Sequence, residues 1–531
     1  MLEGTQIARC DATILCAPHG VGGVIAGNMN VVHPPAPPDP SDWMLADLSI
    51  ALALHAAATG DRGEPGLCAW LAEACNRRGA ALAAAGQFEA ARVQFDAALA
   101  VVPRHLKALG NRASVLHLLG QVDAALASND QALAIDPDRL DTLYNRGLML
   151  LELGRLDAAL ECFDRVLARE PDHAAALGNR GTVLQGLGRL PEAIAAFRRV
   201  RALRPDDATA CVNESLAHLA AGDYATAWPL YERRWETRLH AGRPEFTQPQ
   251  WRGEADIAGK TILLYAEQGF GDTLQFCRYA PLLASRAHVV LLVPSALRRL
   301  LATLSDRVTV IDETNPLPPF DLQCPLLSLP LAFNTRVGSI PADVPYLSAD
   351  QSALARWRQR LDRLPGRKIG LVWAGRSAGA QMETRMRDRR RSLALASLAR
   401  LAELPDVSLV SLQKGDASSQ AAETRADIVL HDWTWELNDF ADTAALVAAL
   451  DLVISVDTSV AHLAGALGRP VWILNRFDAC WRWLQDRTDS PWYPTARLFR
   501  QTAPGDWNGV IAEVVAALRE GSDQPAREKR Q

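Results

Sequence analysis

Between about Trp70 and Trp235, apolar residues return three and four positions apart, in short runs separated by Gly or Pro. That is the spacing of amphipathic helices packed on one face. After Gly259 the rhythm changes to short leucine- and valine-rich runs that alternate with helical spacing. The pattern predicts strand Thr261–Ala266, helix Thr273–Ala284, strand Val289–Val293, helix Ala296–Leu304 and strand Val308–Ile311, with Asp321–Gln323 as a further strand. A polar helix over Gln351–Leu364 precedes a second set: strand Lys368–Trp373, helix Leu395–Leu404, strands Val407–Gln413 and Ile428–Leu430, and helix Thr443–Ala449. Strand Leu452–Val456, helix Val460–Leu467 and strand Val471–Leu474 then form a βαβ unit, and Trp507–Leu518 a final helix. Such alternation argues for parallel sheets covered by helices.

The first half repeats itself. Gly86, Gly120, Gly154, Gly188 and Gly222 stand 34 apart, and Pro103, Pro137, Pro171 and Pro205 keep that period. So do Ala91, Ala125, Ala159, Ala193 and Ala227, and an aromatic column of Phe95, Phe163, Phe197 and Tyr231, broken at Asn129. A glycine that ends one helix, a small residue for close packing, an aromatic between repeats and a proline that opens the next turn together describe a stacked helical hairpin. These columns resemble the tetratricopeptide repeat, and the resemblance implies a solenoid that offers a groove to a protein or peptide.

Two polar features of the array have competing readings. Asn111, Asn145, Asn179 and Asn213 share a helix face, either as peptide-backbone ligands or as surface polarity. Asp136-Pro137-Asp138 matches the acidic motif of metal-dependent glycosyltransferases, but it stands at a repeat turn where Glu170-Pro171-Asp172 and Arg204-Pro205-Asp206 take the same place. It reads as an accident of the turn.

Composition narrows the classes. Half of the 531 residues are apolar, and a net charge of −5 gives no general basic field for nucleic acid or anionic membrane. The nine cysteines include no C-x-x-C pair, so reduced thiols and a cytoplasmic setting are expected, with no metal centre. No apolar run is long enough to span a bilayer. The organisation expected is a Pro-rich, disordered segment over 1–42 and a repeat array over 43–236, with Trp43–Ala58 as a capping helix. A connector over 237–258, Rossmann-like domains over 259–350 and 351–518, and a charged tail over 519–531 complete it.

Candidate chemistry lies where strands meet helices. The first strand runs into Glu267-Gln268-Gly269-Phe270-Gly271-Asp272, where Gly269 and Gly271 permit a sharp turn and a close approach. Asp272 reads either as a functional carboxylate or as a helix cap. Leu274 occupies the third position of a dinucleotide-binding G-x-G-x-x-G, which disfavours a nicotinamide enzyme. Leu452–Val456 ends in Asp457-Thr458-Ser459 at a helix start, the edge where open parallel sheets bind ligands and helix N-termini suit phosphates.

Gly269–Asp272, taken with Asp457-Thr-Ser-Val-Ala-His-Leu-Ala-Gly-Ala-Leu-Gly-Arg-Pro, resembles the heptosyltransferase-type glycosyltransferases of family 9. The resemblance covers about Ala258 to Leu518 and implies a GT-B fold of two Rossmann-like domains, so the fold class expected is α + α/β. In layout alone the chain also resembles the O-GlcNAc transferases. By the family-9 resemblance, Asp272 is the general base on the acceptor hydroxyl, beside Gly269, Gly271 and Gln275. Asp457, Thr458 and Ser459 form the loop that meets the diphosphate of a nucleotide sugar. His462 either faces that loop or packs into the sheet.

A basic residue should neutralise the leaving diphosphate, and Arg391 with Ser392 takes that part. The loop departs from the family in being long and strongly basic, and Arg385, Arg387 and Arg389 read as solvated. Gln413 and Lys414 close a strand at the same edge; they either reach the nucleotide or serve the turn. The function implied is a metal-independent, inverting glycosyltransferase without a cofactor, its acceptor recruited in part by the array. The alternative is a non-catalytic scaffold that retains the fold.

Overall fold

A computed structural model describes residues 65–237, 244–375, 388, 390–424 and 428–521. The expectations for 1–42, for the helix Trp43–Ala58, for Arg385, Arg387 and Arg389, and for the tail past 521 lie outside these residues. The described residues divide into two compact units, 65–213 and 214–521.

The first unit is built of helical hairpins. Helices α1 (Pro65–Ala84), α2 (Phe88–Val101), α3 (Leu106–Leu118), α4 (Val122–Ile135), α5 (Leu140–Glu152), α6 (Leu156–Arg169), α7 (Ala174–Gly186) and α8 (Leu190–Leu203) follow one another, and α9 (Ala208–Ala220) straddles the division. The glycine column performs the turn. Gly86, Gly120, Gly154 and Gly188 have φ of +75°, +76°, +73° and +75°, a conformation that costs a residue with a Cβ. The amides of Gln87 and Gln121 reach back to the carbonyls of Leu82 and Leu116 at 2.9 and 2.8 Å, closing each helix with a Schellman-type bond.

The aromatic column explains a second glycine column. A Cβ built on Gly79, Gly147 or Gly181 would stand 2.6, 2.8 or 2.7 Å from the ring of Phe95, Phe163 or Phe197. Each ring therefore lies directly on the backbone of the preceding helix. At the break in the column, Asn129 is buried and its amide contacts Met149 Sδ at 3.2 Å.

The asparagine face turns partly inward. Asn111 donates to Asn76 Oδ1 at 2.9 Å and Asn179 to the Tyr144 hydroxyl at 3.1 Å, tying first helices of successive repeats together. The neighbouring arginines keep register as well: Arg112–Asp96, Arg146–Asp130 and Arg180–Asp164 pair at 2.6, 2.7 and 2.5 Å. Asp138 of the acidic turn pairs with Arg165 and Arg169 at 3.4 and 2.6 Å, which is a turn-bracing role.

The second unit continues with α10 (Tyr224–Tyr231), which has Pro229 inside it and runs into a 3-10 turn at Glu232–Glu236. Strands β1 (Thr261–Tyr265), β2 (His288–Leu292), β3 (Val308–Ile311) and β4 (Leu322–Pro325) form a parallel sheet in the order β3-β2-β1-β4. Strands β5 (Arg367–Val372), β6 (Val407–Ser411), β7 (Leu430–Asp432), β8 (Leu452–Val456), β9 (Val471–Asn475) and β10 (Ala496–Arg500) form a second, ordered β10-β9-β8-β5-β6-β7. All its ladder pairs are parallel. Strand β8 is buried throughout and β1 from Ile262 on, as apolar strands in a doubly covered sheet should be. The architecture is the expected α + α/β.

Several elements differ from the pattern's prediction. The helix expected over Thr273–Ala284 is two, α11 (Phe270–Phe276) and α12 (Tyr279–Ala284). Pro281 has no N–H to bond the carbonyl of Cys277, so the helix breaks there. Helix Leu395–Leu404 is a 3-10 turn, Leu395–Leu398, followed by one α turn, Ala399–Ala402. Strand β10 was not anticipated, because Arg497 and Arg500 give it a polar look. Arg500 nonetheless tucks in, donating to the carbonyls of Arg487, Trp483 and Leu484. Helices α13 (Ser295–Leu301), α14 (Gln351–Leu361), α15 (Phe440–Ala449), α16 (Ser459–Ala466) and α17 (Trp507–Arg519) complete the regular structure used below. No disulfide joins the described cysteines. No described helix is long and apolar enough to cross a membrane.

Substitution Gly181→Ala is expected to lower stability by about 1–3 kcal/mol, because its methyl must displace the Phe197 ring. Gly110→Ala, mid-helix with nothing within 4 Å of the new methyl, should instead be neutral or stabilising. Thermal unfolding of the two variants beside the parent checks both signs.

Candidate functional site

The C-terminal ends of β1, β5, β6 and β8 carry the polar loops predicted from sequence. After β1 the chain passes Gln268, held at φ +62°, and enters α11 through Gly269. Asp272 lies in the first turn, where its Oδ2 accepts from the Gly269 amide at 3.0 Å. Its Oδ1 pairs with Arg482, whose Nε also donates to Gln275 Oε1 at 2.6 Å. Arg482 is 2% exposed and stacks against Trp481, 4.5 Å from the ring centre. The predicted Asp272 and Gln275 thus meet at one buried guanidinium.

The electrostatics of Asp272 follow from that position. Burial raises its pKa; Arg482 opposes the rise, and Glu267 and Asp457 add to it, leaving a value of about 6. Arg482 itself is held protonated, its burial offset by the Asp272 carboxylate.

Gly271 serves a close approach, though to protein. A Cβ there would stand 2.9 Å from His462 Cδ2 and 3.5 Å from Ser459 Cα, so the starts of α11 and α16 touch only because residue 271 has no side chain. His462 is buried one turn into α16, bonded through Nδ1 to the Tyr493 hydroxyl at 2.9 Å and stacked on Trp483 at 5.4 Å. Its Nε2 lies 3.9 Å from Asp457 Oδ1. Burial, then the charges of Arg482 and Arg278, push its pKa well down, so the imidazole is neutral. Both sequence readings of His462 therefore hold in part: it packs, and it borders the Asp457 loop.

At the end of β8, Thr458 Oγ1 bonds Ser455 Oγ at 2.9 Å, and the Asp457 carbonyl accepts from Arg391 Nη1 at 3.1 Å. Ser459 opens α16, and Asp457, Thr458 and Ser459 are all half-buried. Arg391 is also paired with Asp388 and reaches the loop by crossing Gly375, where a Cβ would stand 2.4 Å from its Nε. Ser392 Oγ accepts from the Gly375 amide at 3.0 Å. Arg391, Ser392 and the Asp457 loop are therefore brought together.

Gln413 and Lys414 are placed differently. Gln413 accepts from the amides of Trp373 and Ala374 at 3.1 and 2.9 Å and donates to the Lys414 carbonyl at 2.9 Å. Lys414 Nζ donates to the Thr434 carbonyl at 3.2 Å and to that of Leu437. Gln413 shapes the end of β5 and Lys414 ties down the 434–437 turn.

Other residues the sequence reading passed over sit at this edge. Asp478 joins Arg390 and Arg476 at 3.2 and 3.1 Å. Burial and the neighbouring Arg476 charge lower the Arg390 pKa, against the opposing pull of Asp478. Among the described residues Arg390 Nε, Arg476 Nη1 and Asn475 Nδ2 are buried donors without a hydrogen-bond partner. Each such group costs about 1–3 kcal/mol when left unpaired, and Arg390 and Arg476 share Asp478 as a partner. Arg482 had one sequence signal, its place between Trp481 and Trp483. Arg390 was hidden in a run that reads as a solvated charge cluster. Among the described residues no group of three or more His, Cys, Asp or Glu is placed to hold a metal ion.

Comparison with known proteins agrees with the two-part architecture. The tetratricopeptide repeat family matches residues 76–139, 144–208 and 179–244. Glycosyltransferase family 9 (heptosyltransferase) matches residues 437–474, the segment from before α15 to β9 that contains the Asp457 loop. The chain therefore carries tetratricopeptide repeats followed by a glycosyltransferase-like domain. It is 28% identical over 330 residues to Protein FlbA of Caulobacter vibrioides, a match over 57% of this chain and 53% of that protein. The chain thus spans about half the length of that curated relative. A crystal structure of MamA is 20% identical over 30% of this chain and 92% of its own, with a TM-score of 0.29. The 41-end form of MamA from Desulfovibrio magneticus RS-1 is 20% identical over 33% and 97%, at 0.31. Likeness at that level carries no argument.

Asp272 is expected to titrate near 6, and in Arg482→Gln, which removes the opposing positive charge, to titrate higher. Carboxyl-carbon NMR of aspartate-labelled protein, with Asp272→Asn to assign the signal, measures both.

Proposed function

We propose that this chain is a metal-independent, inverting glycosyltransferase that takes a sugar from a nucleotide-diphospho-sugar, with an acceptor recruited in part by the repeat array. The observation that carries the reading is the gathering of Arg391, Ser392 and the Asp457–Ser459 helix start at one sheet edge, facing α11 and its buried carboxylate. The family-9 match over the Asp457 segment supports the same reading.

In this mechanism the donor's diphosphate lies at the Asp457–Ser459 turn, where the amides opening α16 and the Arg391 guanidinium meet its negative charge. Asp272 accepts the proton of the acceptor hydroxyl. The acceptor oxygen forms a bond to the anomeric carbon as the bond from that carbon to the diphosphate oxygen breaks, and the nucleoside diphosphate leaves with the electron pair. Charge that builds on the leaving group is met by Arg391 rather than by a metal ion. Asp272 is already bonded to Gly269 and Arg482, but each carboxylate oxygen has a second lone pair for the acceptor hydroxyl. Arg482 keeps this buried carboxylate ionised to a lower pH than burial alone would allow.

The scaffold reading rests on the same two bonds, which make Asp272 a well-satisfied helix cap. Turnover separates the two. A calorimetric panel of UDP-, GDP-, ADP- and dTDP-sugars, run with and without a chelator, should find one donor that binds unchanged by chelation. Arg391→Ala should weaken it roughly ten- to hundredfold. Asp272→Asn should retain donor binding and lose about 10²–10⁴-fold in turnover. A well-folded protein that binds no donor would decide for the scaffold.

Rate should also depend on pH through the same carboxylate. Protonated Asp272 cannot accept a proton, so turnover is expected to fall as pH drops through about 6 and to be flat above it. A pH–rate profile at saturating donor checks this, and an acid limb unchanged by Arg482→Gln would remove Asp272 from the role.

A further inference from the structure

The loop that presents Asp272 is held from two sides, and one side belongs to the end of the repeat array. The Arg234 guanidinium, fully buried, makes two bonds to Glu267, at 2.9 Å from Nε and 2.7 Å from Nη2. It also donates to Glu232 at 2.8 Å, to Ser328 at 2.9 Å and to the Tyr231 carbonyl at 3.2 Å. The following residue, Gln268, is held in the left-handed region at φ +62°, where a side chain is strained. Its amide donates to the Tyr231 hydroxyl at 2.9 Å. Gly269, whose amide caps Asp272, comes next.

Tyr231 is the last member of the aromatic column that marks the repeats, and here its ring is buried and its hydroxyl engaged outside the helical hairpin. We infer that Tyr231 and Arg234, the closing turn of the array, are positioning residues for the reaction proposed above: they fix Glu267 and Gln268 and thereby set Asp272. The inference rests on that functional reading. It makes the last repeat a structural part of the catalytic site rather than a tether, so an array severed before Tyr231 would leave a loop without its hold.

The chemistry accounts for each bond. Glu267 is a buried carboxylate, and burial raises its pKa; Arg234, and then the Leu327 amide, oppose the rise. Without that guanidinium the buried Glu267 would take up a proton and lose its two charged bonds to the array, freeing the loop that leads to Asp272. The Gln268 bond holds the backbone twist that precedes Gly269.

Tyr231→Phe is the gentle test, since it removes one hydroxyl and leaves the ring in the core. In the full-length protein, amide exchange of the 266–276 peptide is expected to rise about five- to tenfold, with the 452–466 peptide unchanged. Turnover should fall several-fold with the KM for donor unaltered. Arg234→Lys, which keeps a charge but not the two-pronged grip, should show the same pattern more strongly. Loop exchange that stays at the parental rate, or that rises equally in both peptides, would overturn the inference. So would a loosened loop with turnover intact. If the parent protein turns over no donor at all, the functional reading fails separately, and exchange alone decides whether the array holds the loop.

Discussion

Two guanidinium groups taken almost entirely out of water, Arg234 and Arg482, sit on either side of one short loop, and each is neutralised by a carboxylate of that loop. An ion moved from water into protein costs several kcal/mol unless its partners are fixed and its donors are filled. The residues from Glu267 to Asp272 therefore have little freedom: shifting either carboxylate would strand a buried cation. From this constraint follow the left-handed Gln268 and the Gly269 amide turned toward Asp272, while burial, only partly offset by Arg482, raises the Asp272 pKa.

The same constraint orders the rest of the candidate site. Arg482 follows β9 in the second sheet's lobe and Asp272 follows β1 in the first. Their pairing, with Gly271 pressed against His462, sets the separation of the two helix starts. Across from them, Arg391 can reach the Asp457 carbonyl only over Gly375. Close backbone approaches at two glycines thus bring a carboxylate and a cation to the same edge, the arrangement a group transfer with an anionic leaving group needs.

On the array side, polar groups that a repeat protein can offer to partners are partly used to join its own hairpins. Asn111 and Asn179 bond to the preceding repeat, and the arginine after each of them bridges to an aspartate. The final hairpin departs from this pattern. Tyr224 and Trp228 pack with Trp481 and Trp492, so that the last aromatic positions serve the sheet-bearing unit.

The sequence by itself determined much of this. A 34-residue period in several columns is a local property, since each residue type answers to its own turn or neighbouring helix, and it named the array without coordinates. Buried parallel strands and the strand-to-helix turn at Asp457 were equally legible, because apolar runs and helical spacing act over a few positions, although no side chain caps that helix. Even the loop glycines were visible, although Gly271 proved to face His462. What only the tertiary structure decided are the long-range charge partners. Arg482 lies 210 residues from Asp272, and Arg234 lies 33 from Glu267. Nothing in local spacing distinguishes such an arginine from one in water. Gln413 and Lys414 show the converse: they stand at the right edge, yet backbone carbonyls and amides claim their polar atoms. Burial decides which charges must find each other, and burial is a property of the folded whole.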